Sequence, residues 1–257
     1  MHIVACVKFT PDPSDIQVRP DGAISLERAE WTISSFDLQA VEAGVQMAEQ
    51  HGGQVTALSA GPAQAGSSKL RKDLLSHGPD ALALVIDESL RAADTAATAR
   101  VLAAAVQKLG DVDLVLCGEG SADLYFQQTG LQVGERLGWP VFNAVSKIEL
   151  VREGRLLVER DLEDEVEVLE VPLPAVLMVT TDIHEPRLPT MKEILKASKK
   201  PVTEWSLSDL GVNSASAVEV VQVSAPHQVQ RKGVLITGTP EEAAQELVRH
   251  LTKEGIL

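Results

Sequence analysis

LVLCGEGSADLYFQQTG, residues 114–130, sets a short apolar run directly against a polar, glycine-bearing stretch. Leu114–Cys117 reads as a strand, and a helical pattern follows from about Phe126, with Gln128–Leu137 as the helix. Strand, loop and helix in that order form the unit of an α/β sheet, whose loops carry chemistry when there is any. Gly118 and Gly120 have no side chains, so backbone amides can come close to a guest. Free amides at the helix start near Gln127 favour an anion, most commonly phosphate. Ser121, Gln127, Gln128 and Thr129 add neutral donors. Taken alone, such a loop is more often a plain connection than a ligand loop.

The same unit recurs toward the N-terminus. His2–Lys8 reads as a strand, and Phe36–Gln50 as a helix with Ala40, Val41, Gly44, Val45 and Ala48 on one face. Val55–Ala60 is a strand closed by Gly61-Pro62, Ser67–Ser76 a short basic helix and Ala81–Ile86 a third strand. Thr95–Leu109 is an alanine-rich helix that leads into Leu114. This alternation predicts an α/β fold, a mainly parallel, doubly wound sheet covered on both faces. The strand ends at Cys6–Lys8, Ser59–Gly61 and Leu116–Gly118 then bring three loops to one rim.

Beyond Trp139-Pro140 the pattern becomes β-rich, with stretches at Val141–Leu150, Arg155–Asp161, Val166–Val171 and Ala175–Thr181. Alternation at Glu165–Val168 slips one phase at Leu169, as a bulge or strand end would require, and predicts antiparallel pairing with one wet face. The carboxylates from Glu159 to Glu170 read as a solvated strand face, since nothing nearby would bind an electrophile. Thr181–Pro201 is a proline-bearing loop followed by a basic helix that Pro201 stops. Weaker apolar runs follow at Val218–Val223 and Val234–Thr237, with a Pro/Gln-bearing stretch between them. A final helix covers Pro240–Lys253, with Glu241 and Glu242 suiting its dipole.

Composition narrows the function. A formal charge of −14 opposes nucleic-acid and anionic membrane surfaces. No apolar run nears the roughly eighteen residues of a membrane span, and the start lacks signal-peptide character, so cytoplasmic residence is expected. Cys6 and Cys117 each end an apolar run and read as small buried residues, with no metal site expected. The histidines (His2, His51, His77, His184, His227, His250) are scattered, and there is no G-x-S-x-G elbow. Neither a P-loop nor a G-x-G-x-x-G after the first strand is present. A binder is indicated rather than a hydrolase.

Five stretches together resemble the small (beta) subunit of electron-transfer flavoproteins, especially the Fix-type bacterial branch. They are ACVKFTPD at 5–12, SSFDLQAVEAG at 34–44, ALSAGPAQ at 57–64, the opening loop with QQTG at 127–130, and HEPRLPTMKEILKASKKP at 184–201. The resemblance implies an adenine-nucleotide-hydrolase-like fold and a larger alpha subunit that holds most of a redox-active FAD. It further implies an AMP buried in this chain, or a second FAD there in electron-bifurcating relatives. By position, the adenylate contacts fall on Cys6, Ser34, Ala60, Asp123 and Gln127–Thr129, alongside the loop's Gly118, Gly120 and Ser121. Phe36 and Pro11–Pro13 would approach the partner's flavin. Segment 181–201 would dock acyl-CoA-dehydrogenase-like or quinone-oxidoreductase-like flavoproteins through Pro186, Arg187, Met191, Ile194 and Leu195. Met191 stands where many members carry an anchoring leucine.

Two departures matter. Ser34-Ser35 replaces the usual Asn-Pro, and ADLYFQQTG replaces the D-G-D-T-A-Q-V-G of bifurcating members, which favours AMP over a second FAD. Tyr125-Phe126 fits neither pattern. The expected organisation is a nucleotide-binding unit over 1–204, including the β-rich addition and docking loop, and a C-terminal extension over 205–257 packing on the partner. The expected role is electron carriage without bond chemistry. A non-redox nucleotide binder of the same fold is the alternative. An ATP-using enzyme would need a glycine/serine-rich pyrophosphate loop after the first strand, where KFTPDPSD stands instead.

Overall fold

The computed structural model describes residues 1–152, 154–226 and 232–257; His227 and most of the Pro/Gln-bearing stretch fall outside them. The chain opens with β1 (His2–Cys6), then an insertion of two small ribbons, β2 (Phe9–Pro11) with β5 (Trp31–Ile33) and β3 (Gln17–Val18) with β4 (Ile24–Ser25). There follow α1 (Ser35–His51), β6 (Gln54–Gly61), α2 (Ser68–Ser76), β7 (Ala81–Ile86), α3 (Thr95–Leu109), β8 (Leu114–Gly118) and α4 (Thr129–Leu137). The second half holds β9 (Val141–Arg152), β10 (Arg155–Asp161), β11 (Val166–Pro172), β12 (Ala175–Val179), α5 (Met191–Ala197), β13 (Val202–Trp205), α6 (Leu207–Leu210) and α7 (Pro240–Lys253).

Nine strands form one sheet in the order β11-β10-β9-β12-β8-β1-β6-β7-β13. The strands from β9 through β13 in that order pair in parallel, so the expected doubly wound α/β architecture is present. β8 and β12 carry no polar side chain and are buried throughout, because both faces of the sheet are covered there. On one face Ile3, Ala5, Leu116 and Leu177 meet Val41, Val45, Leu70 and Leu74 of α1 and α2. On the other, Val4, Val115 and Met178 meet Ala99, Leu102 and Val133 of α3 and α4. Leu116 and Leu177 are fully buried, so truncating either to alanine costs about 2–5 kcal/mol.

The antiparallel reading of the second half holds only in part. β10 pairs antiparallel with β9 and β11, but β9 and β12 lie parallel to each other inside the main sheet. The β10–β11 excursion carries the chain out and back, which lets β12 enter the covered centre, as its unbroken apolar run suits. Nor is there a bulge at Leu169. β11 pairs without interruption from Val166 to Pro172, and the irregularities lie in the β9–β10 pairing. Its inner face is Glu167, Leu169 and Val171, with Arg160 Nη1 donating to Glu167 at 2.8 Å, while Val166 and Val168 face outward. Strand β13 had no sequence signal: VTEW is short and mostly exposed, and it pairs along the edge of β7.

After β13, Leu207, Leu210 and Val212 pack on the α3 face. Among the described residues the runs at Val218–Val223 and Val234–Thr237 form no strand, and an isolated bridge joins Ser224 to Ala23. Helix α7 starts with a Thr239–Glu242 capping box and buries none of its residues. Among the described residues no helix is long and apolar enough to cross a membrane.

Candidate functional site

From β1 the chain winds outward through β6 and β7, then returns to β1's other side as β8. The crevice at the carboxyl ends of β1 and β8 is therefore the topological switch point, where doubly wound sheets hold ligands. A cavity of about 380 Å³ occupies it, within the size range of small-molecule sites. Of the sequence-designated residues, Cys6, Ala60, Gly118, Gly120, Ser121, Asp123, Gln127, Gln128 and Thr129 line it. Ser34 and Phe36 sit behind the wall instead. Ser34 is fully buried, its hydroxyl accepting from the Ala122 amide at 3.3 Å, and Phe36 packs on Tyr125 with ring centroids 5.0 Å apart. Pro11, Leu26 and Trp31 from the insertion complete an outer apolar wall together with Phe126.

Close approach explains the loop's glycines. A Cβ on Gly118 would lie 2.7 Å from the Phe36 carbonyl, so α1 starts directly against the end of β8. A Cβ on Gly120 would enter the Tyr125 ring at 2.2 Å. Tyr125 folds back on Gly120 and Phe36, and its hydroxyl donates to Glu119 Oε1 at 2.9 Å. Tyr125 and Gln127 both have positive φ, 49° and 56°, a region that side chains disfavour. The contacts hold this strained turn in place and leave Phe126 facing the cavity.

Two helices begin at the cavity, α3 at Thr95 and α4 at Thr129. Asp94 caps α3 through the Ala97 amide at 2.7 Å, but α4 has no side-chain cap. Its first-turn amides and dipole are thus available to an anion at Gln127–Thr129. Thr95 Oγ1 donates to Gln128 Oε1 at 3.4 Å and ties the two helix starts together.

Apart from Asp123, the charged groups of the wall carried no role in the sequence reading. Asp37, in the first turn of α1, accepts from the Lys8 amide at 2.8 Å and the Gly118 amide at 3.3 Å, clamping β1 to β8. Its burial is the largest influence and raises its pKa to about 7 against those two N–H groups. Asp123 is paired with Lys8 Nζ at 2.7 Å. Desolvation pushes Asp123 up, but hydrogen bonds from Lys8 and Ser121, the Lys8 charge and the Leu124 amide together hold it below its ordinary value. Glu119 and Arg91 also face the cavity.

Segment 181–201 lies elsewhere, against α1 and α2. Arg187 does not project outward: its guanidinium meets Glu42 at 2.8 and 3.1 Å and Glu49 at 2.8 and 3.0 Å. Glu42 is buried, which pushes its carboxyl up, yet the Arg187 and Gln46 bonds bring it below its usual range. Pro186 and Ile194 are half-buried, whereas Met191 and Leu195 are exposed to 73% and 64%. Leu188, which the sequence reading passed over, is 89% exposed beside them. A Thr190–Glu193 capping box orders the short helix that carries Met191 and Leu195. Residues 22–210 match the family model of the electron transfer flavoprotein domain.

Proposed function

The chain belongs to the electron transfer flavoprotein family, and on that premise we propose that it is the beta subunit, of the Fix-type branch, of a heterodimeric electron carrier. Proteins of this family carry electrons rather than catalyse bond chemistry, and their partners are flavoproteins in general. In this reading a larger alpha subunit holds most of a FAD, and this chain shapes its surroundings. Electrons pass between a dehydrogenase-type donor and an acyl-CoA-dehydrogenase-like or quinone-linked flavoprotein. Residues 205–257 pack on the alpha subunit, which suits an α7 helix that buries nothing on its own chain.

The observation that carries the reading is the switch-point cavity with an uncapped helix start at one end and small residues at the other. The residues present fit an adenylate. Gln127–Thr129 and the first turn of α4 would hold its phosphate, while Cys6 and Ala60 leave room for a flat base. Bound AMP supplies no redox chemistry; it would brace the loops that the Asp37 clamp and the Lys8–Asp123 pair already hold. The exposed Leu188, Met191 and Leu195 are the apolar contacts offered to partner flavoproteins.

The test is the nucleotide released on denaturing the purified complex, read by mass and absorbance. One FAD with one AMP is the expected result. Two FAD would replace simple carriage by a bifurcating role. A chain that binds neither a larger partner nor flavin would overturn the reading.

A further inference from the structure

The insertion between β1 and α1 supplies one wall of the cavity, and its own packing is slight. Pro11, Leu26 and Trp31 face the cavity from it. Its base is buried at Phe9, Thr10 and Ile33, whereas none of residues 11–32 is. An ion pair joins Glu30 to Lys69 of α2, but both side chains are mostly exposed, and such pairs contribute little.

Residues 213–225 run from the α3 wall of the cavity to this insertion. At the α3 end, Arg100 Nη1 donates to the Asn213 carbonyl at 3.1 Å, to Asn213 Oδ1 at 3.0 Å and to the Ala215 carbonyl at 3.3 Å. Asp94 Oδ2 accepts from the Ala217 and Val218 amides at 2.6 and 3.1 Å, and the Asp94 amide donates to Ser216 Oγ at 3.0 Å. The other carboxylate oxygen of Asp94 caps α3, and its neighbours Ala93 and Thr95 line the cavity. At the far end the Ala225 amide donates to the Gly22 carbonyl at 3.0 Å, and Ser224 bridges Ala23. Between these attachments Val220, Val221 and Val223 are exposed. From Val218 to Ser224 the chain can reach at most about 20 Å.

We propose that this segment is a strap that latches the insertion to the start of α3 and so controls entry to the cavity. No strap residue lines the cavity, so the strap acts on the wall from outside. Its two ends differ in strength. A carboxylate and a guanidinium hold the α3 end, and charge-assisted hydrogen bonds are roughly twice as strong as neutral ones. The Gly22–Ala23 end rests on neutral backbone contacts, so it lets go first. The freed insertion then pivots on its buried base, because segments with few buried contacts open well below the cost of global unfolding. Its swing carries Leu26 and Trp31 away from Phe126 and uncovers the floor where Cys6 and Cys117 lie. Control of nucleotide entry rests on the reading of this cavity as a nucleotide site; the opening itself does not.

The test fastens the latch covalently in the full-length chain, with Ala23→Cys and Ser224→Cys together. Bridged residues of antiparallel strands have Cα atoms about 4.5–5.5 Å apart, within the span of a disulfide. Cys6 and Cys117 line the cavity and are each 6% exposed, so their labelling by N-ethylmaleimide, followed peptide by peptide by mass spectrometry, reports its opening. Labelling of both should be suppressed while the new disulfide is intact and should return when it is reduced. Equal rates in the two states overturn the proposal. Ala225→Pro removes the amide that bonds Gly22 and should speed labelling about fivefold, the worth of one net hydrogen bond. If the double variant fails to fold or to crosslink, Ala225→Pro decides, and labelling at the wild-type rate overturns the strap. Release of bound nucleotide, measured in parallel, should slow with the disulfide. Thiols gated by the disulfide in a chain that holds no nucleotide would keep the strap and discard the adenylate reading.

Discussion

Asp37 makes stability fall as pH rises from about 4 to about 7. Its carboxyl is fully buried and titrates at about 7, against an ordinary value of 3.8. A folded-state pKa raised above the unfolded one means that the native chain keeps a proton the unfolded chain has released. Stability is therefore lost progressively between about pH 4 and pH 7, and the loss is complete above 7. A shift of roughly three units at 1.36 kcal/mol each comes to about 4 kcal/mol. Other paired carboxylates, such as Asp123, are lowered and act mostly below pH 4 with the opposite sign. His184 is also lowered and opposes the trend below pH 6.5, so the informative quantity is wild type minus variant. In Asp37→Asn the amide oxygen still accepts from Lys8, but the Gly118 amide loses its acceptor at a cost of about 1–3 kcal/mol. Urea unfolding followed by circular dichroism from pH 4 to 8 should show the variant less stable at the acid end, with the gap closing and then reversing toward pH 8, because the wild type's loss of about 4 kcal/mol exceeds the variant's cost of about 1–3 kcal/mol. Parallel curves, or a wild type that gains on the variant with rising pH, would refute the assignment of a protonated Asp37.

Three further outcomes are expected. Arg187→Ala strands the buried Glu42 carboxylate and should cost about 3 kcal/mol in urea unfolding; Arg187→Lys should recover little, because only the guanidinium fork spans Glu42 and Glu49 together. Full recovery by lysine would mean that charge alone suffices. Gly118→Ala drives a methyl against the Phe36 carbonyl and should lower thermal stability by the equivalent of about 1–3 kcal/mol. It should also release bound nucleotide, and an unchanged melting curve would contradict the close approach of α1 to β8. Met191→Ser with Leu195→Ser alters exposed side chains and should leave stability within about 0.5 kcal/mol. The rate of electron transfer to a partner flavoprotein should fall, and an unaltered rate would remove these residues from docking.

What the sequence disclosed was whatever local pattern encodes. The buried strands β1, β7 and β8 announce themselves by apolar runs, and the loop after β8 by its glycines and amides. What it concealed depends on contacts between distant segments. Asp37 reads as an ordinary first-turn acid on α1, and only the meeting of β1 and β8 buries it. Arg187 belongs to a motif that suggests an outward-facing cation, yet its partners lie well over a hundred residues away. The placement of β12 beside β8 was hidden because pairing partners leave no local trace; only its continuous burial hinted at it. At Tyr125-Phe126 the sequence marked a departure from the family pattern but gave no sign that Tyr125 would fold back and Phe126 line the cavity.

Helix α1 ties the cavity to the exposed segment through its length and phase. Asp37 reaches the strand ends from its first turn, while Glu42 and Glu49, seven residues apart and so on one stripe, receive Arg187. From Asp37 to Glu49 the axis advances about 18 Å. One residue inserted between Asp37 and Glu42 would turn the Glu42–Glu49 stripe by about 100° and swing it away from Arg187. Removing one would turn it the other way by as much. The number of residues along that span is as fixed as the identity of its buried ones, Ala40 to Val45 and Met47: the helix works as a ruler and a dial.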